Sequence, residues 1–329
     1  MMDLSQFHEH FKLYTRDCAT EEQKLTILDN CVDLFKKDYT VQIIENDFCQ
    51  TYPKKIIIPQ ERDDLNTAKS LKTLFEASKY ARVRSRSPVP VIHFNGKNIC
   101  RSATLAQKAE CIAKAATNGF SLQGALSWFS GERNSSADDV LESSRNEDIS
   151  LIKALHIRYI CDLMVEDKKK KFGIYVTSSE KTDRLARYAG FCISAIPYPG
   201  TEFFALWKEH NYSLTEVDWT LFGTDTTAVV IDPDGPRPIS SLNWKSWDII
   251  ELTKNYMHLI LAYIASPGDG GVLVHCISGW DRTPLYVSLI RMSLWADGAI
   301  HQNLTATEML YLTVNYDWFL FHHYLKDRC

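Results

Sequence analysis

In the run Gly270-Gly271-Val272-Leu273-Val274-His275-Cys276-Ile277-Ser278-Gly279-Trp280-Asp281-Arg282-Thr283-Pro284-Leu285, an apolar strand delivers a cysteine to a turn containing Gly279. A helix-compatible segment follows from about Thr283. Cys276 and Arg282 stand in a C-x5-R spacing. A strand, turn and helix joined in this way suit a tetrahedral oxyanion. The backbone N–H groups of 277–282 can curl round it, the positive end of the helix adds to the field, and the Arg282 guanidinium can clamp two oxygens. The same field lowers the pKa of the Cys276 thiol. A thiolate there is a nucleophile able to take a phosphoryl group as a cysteinyl-phosphate. None of the other cysteines (Cys18, Cys31, Cys49, Cys100, Cys111, Cys161, Cys192, Cys329) has an arginine at that offset.

Working outward, the pattern from 148 onward alternates. Helices are predicted at 149–165, 179–189, 200–210 and 244–265, strands at 173–177, 191–196, 226–231 and 271–275, and two closing helices at 284–297 and 305–325. This implies an α/β fold with a central, mostly parallel sheet flanked by helices and the C-x5-R turn between a strand and a helix. Upstream, Leu25, Leu28, Cys31, Val32 and Phe35 recur at helical spacing across 21–38. Residues 56–58 read as a strand before Pro59, 65–80 as a helix, 89–94 as a strand, and 104–117 and 121–130 as helices. The polar segment 132–147 is predicted to be a mobile loop. Neither repeat nor linker is visible, so the expectation is one domain over 1–329, with 1–88 a helical extension packed on it.

The 329 residues, 45% hydrophobic and 12% aromatic, can bury a large core. No apolar run reaches the roughly 20 residues of a membrane span, and the first ten residues do not read as a signal peptide. Nine scattered cysteines without C-x2-C pairs argue against both a disulfide framework and a zinc site, and fit a reducing cytoplasm. No metal or cofactor site is read. His322 and His323 are adjacent rather than spaced for a metal on one helix face. A net charge of −4 gives no global attraction to nucleic acid or anionic lipid, which leaves local patches. Arg82, Arg84 and Arg86 would share one face of an extended segment, able to approach a lipid surface or another part of the chain. Residues 168–171 are a lysine run expected in a solvated turn.

The loop His275-Cys276-Ile277-Ser278-Gly279-Trp280-Asp281-Arg282-Thr283 resembles that of the myotubularin family of phosphoinositide 3-phosphatases, which carries Gly-Trp-Asp-Arg. Further segments resemble a divergent branch of that family: Cys100-Arg101-Ser102-Ala103-Thr104-Leu105, Val176-Thr177-Ser178-Ser179-Glu180-Lys181, Ser293-Leu294-Trp295-Ala296-Asp297-Gly298 and Tyr316-Asp317-Trp318-Phe319-Leu320-Phe321. The resemblance implies a protein tyrosine phosphatase-like fold. It also implies removal of the D3 phosphate from phosphatidylinositol 3-phosphate and the 3,5-bisphosphate, without cofactor, by a cytoplasmic protein peripherally associated with membranes. Residues 1–88 do not read as the family's PH-GRAM module, and the chain is readable as a catalytic fragment. Where typical members have Ser-Asp after the cysteine, this chain has Ile277-Ser278.

Cys276 is therefore the expected nucleophile and Arg282 the phosphate clamp, with Ile277, Ser278, Gly279, Trp280 and Thr283 completing the loop. An inositol alkoxide needs a proton to leave. The resemblance assigns that role to Asp281, while Asp232 and Asp234, in a loop upstream of the final strand, are rivals. Arg101, Lys181 and Arg184 are candidates for the other phosphate of the headgroup. A tyrosine or dual-specificity phosphatase and a non-catalytic phosphoinositide-binding scaffold remain alternatives.

Overall fold

The computed structural model describes residues 19–60, 67–107, 135–165, 169–171, 174–176, 179–180, 183, 185–222, 229–236, 238–240, 243–268 and 270–323. Helix α1 (Glu21–Phe35) starts at a capping box: the Thr20 side chain accepts from the Gln23 N–H, and Gln23 accepts in return from the Thr20 N–H. It buries Ile27, Leu28, Cys31, Val32 and Phe35; of the stripe expected from the sequence, Leu25 is instead exposed and Ile27 joins the buried face. Strands β1 (Thr40–Glu45) and β2 (Lys55–Gln60) form an antiparallel pair, and α2 spans Thr67–Ser78. The strand expected at 56–58 lies in β2, with Ile56, Ile57 and Ile58 buried, and its pairing with β1 makes the N-terminal region mixed rather than the helical extension expected over 1–88. Pro59 lies within β2, opposite Val41, in a two-stranded sheet where one side of each strand is an edge.

The central sheet takes β3 (Val89–Phe94), β4 (Lys97–Ala103), β5 (Ile157–Asp162), β8 (Cys192–Ala195) and β9 (Gly271–Cys276) in the order β3-β4-β9-β5-β8; β6 (Lys169–Lys171) and β7 (Ile174–Val176) form a separate hairpin. Only β3–β4 pairs antiparallel; β4–β9, β9–β5 and β5–β8 are parallel. Strand β9 is central, and Val272, Leu273 and Val274 are all buried, as a strand covered on both faces requires. Helix α3 (Ser135–Ala154) packs on β5, α4 spans Thr201–Glu209, and α5 (Ile249–Ala265) packs with α6 (Arg282–Ala296) against β9. Helix α7 (Ala306–Leu312) runs on through a π-helical turn, Thr313–Trp318, to a 3-10 turn, Phe319–Phe321. Among the described residues, no helix is long and apolar enough to cross a membrane.

Several sequence expectations need correction. Helix α3 begins at Ser135, inside the segment expected as a loop, and ends at Ala154, so the helix expected at 149–165 divides between α3 and β5. The buried face of α3 contains Leu141, Ser144, Asp148, Leu151 and Ile152, and its two polar members hide the helical stripe. The apolar run of β5 is a buried parallel strand, which periodicity alone does not separate from a buried helix. Part of the lysine run forms β6 rather than a turn. Residues 185–190 form turns in place of the second half of the helix expected at 179–189. Most of the helix expected at 104–117, all of that at 121–130 and the first half of the strand expected at 226–231 lie outside the described residues, although Val230 bridges Ala195.

Candidate functional site

The parallel strands bring their C-terminal ends together at Cys276. Ala103 lies opposite Cys276 on one side, and Asp162 lies opposite His275 on the other. Strand β9 ends at Cys276 and α6 begins at Arg282, with the intervening residues forming bends. The backbone N–H of Gly279 donates to Cys276 Sγ at 3.2 Å, so the turn curls back over the sulfur. Gly279 has φ +66°, and a Cβ on it would stand 2.6 Å from the Ser102 carbonyl oxygen, which restricts this position to glycine.

Burial alone would push the Cys276 thiol up. The charge of Arg282 and the hydroxyl and amide of Thr283 outweigh it and hold the thiol below its ordinary value of 9.0. Thr283 Oγ1 is fully buried and lacks a hydrogen bond of full geometry in the resting site, so its influence on the sulfur is that of a nearby dipole. Arg282 is 9% exposed, and its Nη1 donates to the carbonyls of Leu163 (3.0 Å) and Tyr198 (3.1 Å), which fix the guanidinium between β5 and β8.

Beneath the loop lie two guanidinium groups. Arg86 and Arg101 both donate to the Gly279 carbonyl, at 3.1 and 3.0 Å. Arg101 is 1% exposed, donates also to the Asp317 carbonyl, and lies over the Phe321 ring. It therefore supports the loop from behind rather than reaching a headgroup at its mouth. Burial first, and then the charge of Arg86, pushes its pKa down to about 10. Arg86 additionally holds Thr51 and the Phe321 carbonyl. Arg82 is also buried, so the three arginines do not form one lipid-facing row. Residues Arg84 and Ser85 have φ of 56° and 57°, a local reversal that turns Arg84 onto the Trp280 ring, 3.7 Å from its centroid.

Behind Cys276, His275 faces inward. Its Nε2 lies 2.9 Å from Glu180, its Nδ1 3.7 Å from Asp162, and Glu180 receives Arg82 Nη1 at 2.9 Å. Arg82 also makes two bonds to Asp148, at 2.8 and 2.9 Å. Burial would lower the His275 pKa, but Glu180 and Asp162 outweigh it and raise it. Burial works against the Glu180 carboxylate, yet His275 and Arg82 hold its pKa down at about 2.

Asp281 precedes α6, half-exposed beside the loop. Its Oδ1 lies 3.0 Å from Nδ1 of His323, which is 2.8 Å from the Trp280 carbonyl. Asp232 and Asp234 lie elsewhere. Asp232 accepts from the Ile193 N–H, level with Leu273 rather than Cys276, and Asp234 is exposed and acts on Arg158 and Cys192 at the opposite ends of the strands. Turn chemistry explains them: Asp232 also accepts from the Asp234 N–H. Lys181 and Arg184 lie outside the described residues. The residues that sequence reasoning missed are Arg86, Glu180 and His323. Arg86 carried a signal in its segment, but His323 reaches the loop from 43 positions beyond Trp280 and had no local signature.

Comparison with known proteins bears on this arrangement. The human and mouse proteins named phosphatidylinositol-3,5-bisphosphate 3-phosphatase MTMR14 are each 44% identical over 322 residues, spanning 91% of this chain and 50% of theirs. The chain is myotubularin-related. A Xenopus laevis protein named phosphatidylinositol-3,5-bisphosphate 3-phosphatase MTMR4 is 25% identical over 348 residues, spanning 95% of this chain and 29% of its own. The chain spans about half the length of the MTMR14 proteins it matches. No family model matches it.

Proposed function

We propose that this chain is a cysteine-dependent phosphoinositide 3-phosphatase with a protein tyrosine phosphatase-like fold, in which residues 276–282 form the phosphate-binding loop. The observation that carries the reading is the Gly279 N–H folded onto Cys276 Sγ, with Arg282 and Thr283 lowering the thiol pKa. The names of the MTMR14 and MTMR4 relatives supply the substrate class.

In the first step, the Cys276 thiolate attacks phosphorus, and the bond from phosphorus to the inositol C3 oxygen breaks. The departing oxygen takes its proton from the Asp281 carboxyl. Arg282 and the loop N–H groups hold the transferring oxygens as charge develops on them. In the second step, water attacks the phosphorus, Asp281 takes a proton from it, and the bond to sulfur breaks. The thiolate and inorganic phosphate result, with the Thr283 hydroxyl beside the sulfur to stabilise it. No metal or cofactor enters either step. Ile277-Ser278 in place of Ser-Asp removes one carboxylate from the loop, which favours an anionic headgroup.

Phosphate release from short-chain phosphatidylinositol 3-phosphate, its 4- and 5-phosphate isomers, the 3,5-bisphosphate and a phosphotyrosine peptide tests the reading. Release confined to the lipids bearing a 3-phosphate is expected. Turnover of the peptide with inert lipids would replace it with the tyrosine phosphatase reading. Binding without turnover of any substrate would favour the scaffold. Association with a cytosolic membrane surface follows from the substrate and is part of the proposal.

A further inference from the structure

The last described residue, His323, lies beside the loop. It follows the 3-10 turn Phe319–Phe321 and His322, whose φ of 64° reverses the chain and aims the next side chain back at α6. Its ring is 5% exposed and sits edge-on against Trp318, with centroids 4.6 Å apart. Nδ1 is 2.8 Å from the Trp280 carbonyl oxygen and 3.0 Å from Asp281 Oδ1.

A carbonyl oxygen only accepts, so the short contact to Trp280 requires hydrogen on Nδ1. That N–H also faces Asp281 Oδ1. Hydrogen on Oδ1 would meet it head-on, so a protonated Asp281 carries its hydrogen on Oδ2. We propose that His323 is a positioning residue for the reaction, donating from Nδ1 to Trp280 O and Asp281 Oδ1 so that Oδ2 delivers the proton to the leaving oxygen. The inference rests on the reading of Asp281 as general acid. It adds what that reading lacks, namely which oxygen acts and what holds it.

The chemistry gives the arrangement a function beyond packing. As the leaving oxygen takes the proton from Oδ2, negative charge develops on the Asp281 carboxylate, and the Nδ1–H stabilises that charge in the transition state. Among the described residues, the charged groups around Asp281 include Arg86 from the segment before β3, Cys276 at the end of β9 and the neighbouring Arg282, with Arg84 on the adjoining Trp280 ring. None of these is altered when His323 is replaced.

The test compares unaltered protein, His323→Phe, His323→Asn and Asp281→Asn on two substrates. One is short-chain phosphatidylinositol 3-phosphate; the other is an aryl phosphate whose acidic phenol leaves without a proton. His323→Phe keeps an aromatic ring edge-on against Trp318 and removes the donor. The ratio of lipid to aryl turnover is expected to fall by about tenfold or more, within the range for general acid catalysis. The alkaline limb of lipid kcat should move to higher pH, because Asp281 loses a donor that favours its ionised form. The Asn side chain offers an N–H near the same place and is expected to restore most of the ratio. Equal loss on both substrates, or no loss while Asp281→Asn lowers the ratio, would overturn the inference. If Asp281→Asn leaves the ratio unchanged, the assignment of Asp281 itself fails, and this inference with it.

Discussion

Gly279 passes so close to Ser102 that a Cβ would stand 2.6 Å from the Ser102 carbonyl oxygen and 3.1 Å from its carbon. Both contacts are to backbone, so neither side can yield cheaply. The residue also has φ +66°, where an L side chain is strained. Gly279→Ala is expected to destabilise the fold by about 1–3 kcal/mol and to displace the N–H that reaches Cys276 Sγ. Denaturant unfolding gives the first effect. A slower reaction of Cys276 with iodoacetamide at neutral pH gives the second.

Arg282 and Thr283 lower the Cys276 pKa against the effect of burial. The pH midpoint of Cys276 alkylation should therefore lie below 9.0, the ordinary thiol value, and should rise in Arg282→Ala and in Thr283→Ala. Phosphatase turnover by Arg282→Ala should fall by about 10²- to 10³-fold or more, the range for loss of one oxyanion donor. A midpoint unchanged by Arg282→Ala would mean that its charge does not act on the sulfur.

Arg86 and Arg101 converge on the Gly279 carbonyl and interact electrostatically with the Cys276 thiolate. Arg101→Met leaves the buried Asp317 carbonyl without this donor, at a cost of about 1–3 kcal/mol, while Arg86 still donates to the Gly279 carbonyl. The alkylation midpoint of Cys276 should rise at the same time, since a buried positive charge is lost. A headgroup role would instead raise KM with the midpoint unchanged.

His275 and Glu180 make stability depend on pH in opposite directions. The folded His275 pKa lies above its ordinary 6.5, so its pairing stabilises the fold fully below that pH and is lost as pH rises through the raised value. Glu180 is depressed from 4.5 to about 2, so its contribution is present above pH 4.5 and lost as pH falls through about 2. Glu180→Gln should remove its own dependence and weaken that of His275, to which Asp162 also contributes. It should also destabilise by about 3–5 kcal/mol, because Arg82 and His275 lose a buried partner. Thermal unfolding of both proteins across pH measures this.

Much of the sheet and the Cys276–Arg282 turn was legible because their signals are local. A buried parallel strand is continuously apolar, and the turn announces itself by a cysteine, a glycine and an arginine at fixed offsets. The start of α3 was not legible, because Ser144 and Asp148 occupy its buried face to bond the 77–80 backbone and Arg82. The mixture of roles among Arg82, Arg84 and Arg86 was likewise hidden. Alternate spacing places them on one face of an ideal strand, but the reversal at Arg84 and Ser85 separates them. The contact of His323 with Asp281 was not legible either, because only the return of the chain after α7 provides it.

The central claim is that Cys276 carries the phosphoryl group. Lipid labelled with ³²P at the 3-phosphate should be mixed with the protein and quenched in acid within one turnover, and the peptides then mapped. The account predicts label on the peptide containing Cys276, absent in Cys276→Ser and increased in Asp281→Asn if release of the intermediate is slowed more than its formation. Phosphate release at full rate from Cys276→Ser, or label on another residue, would contradict it.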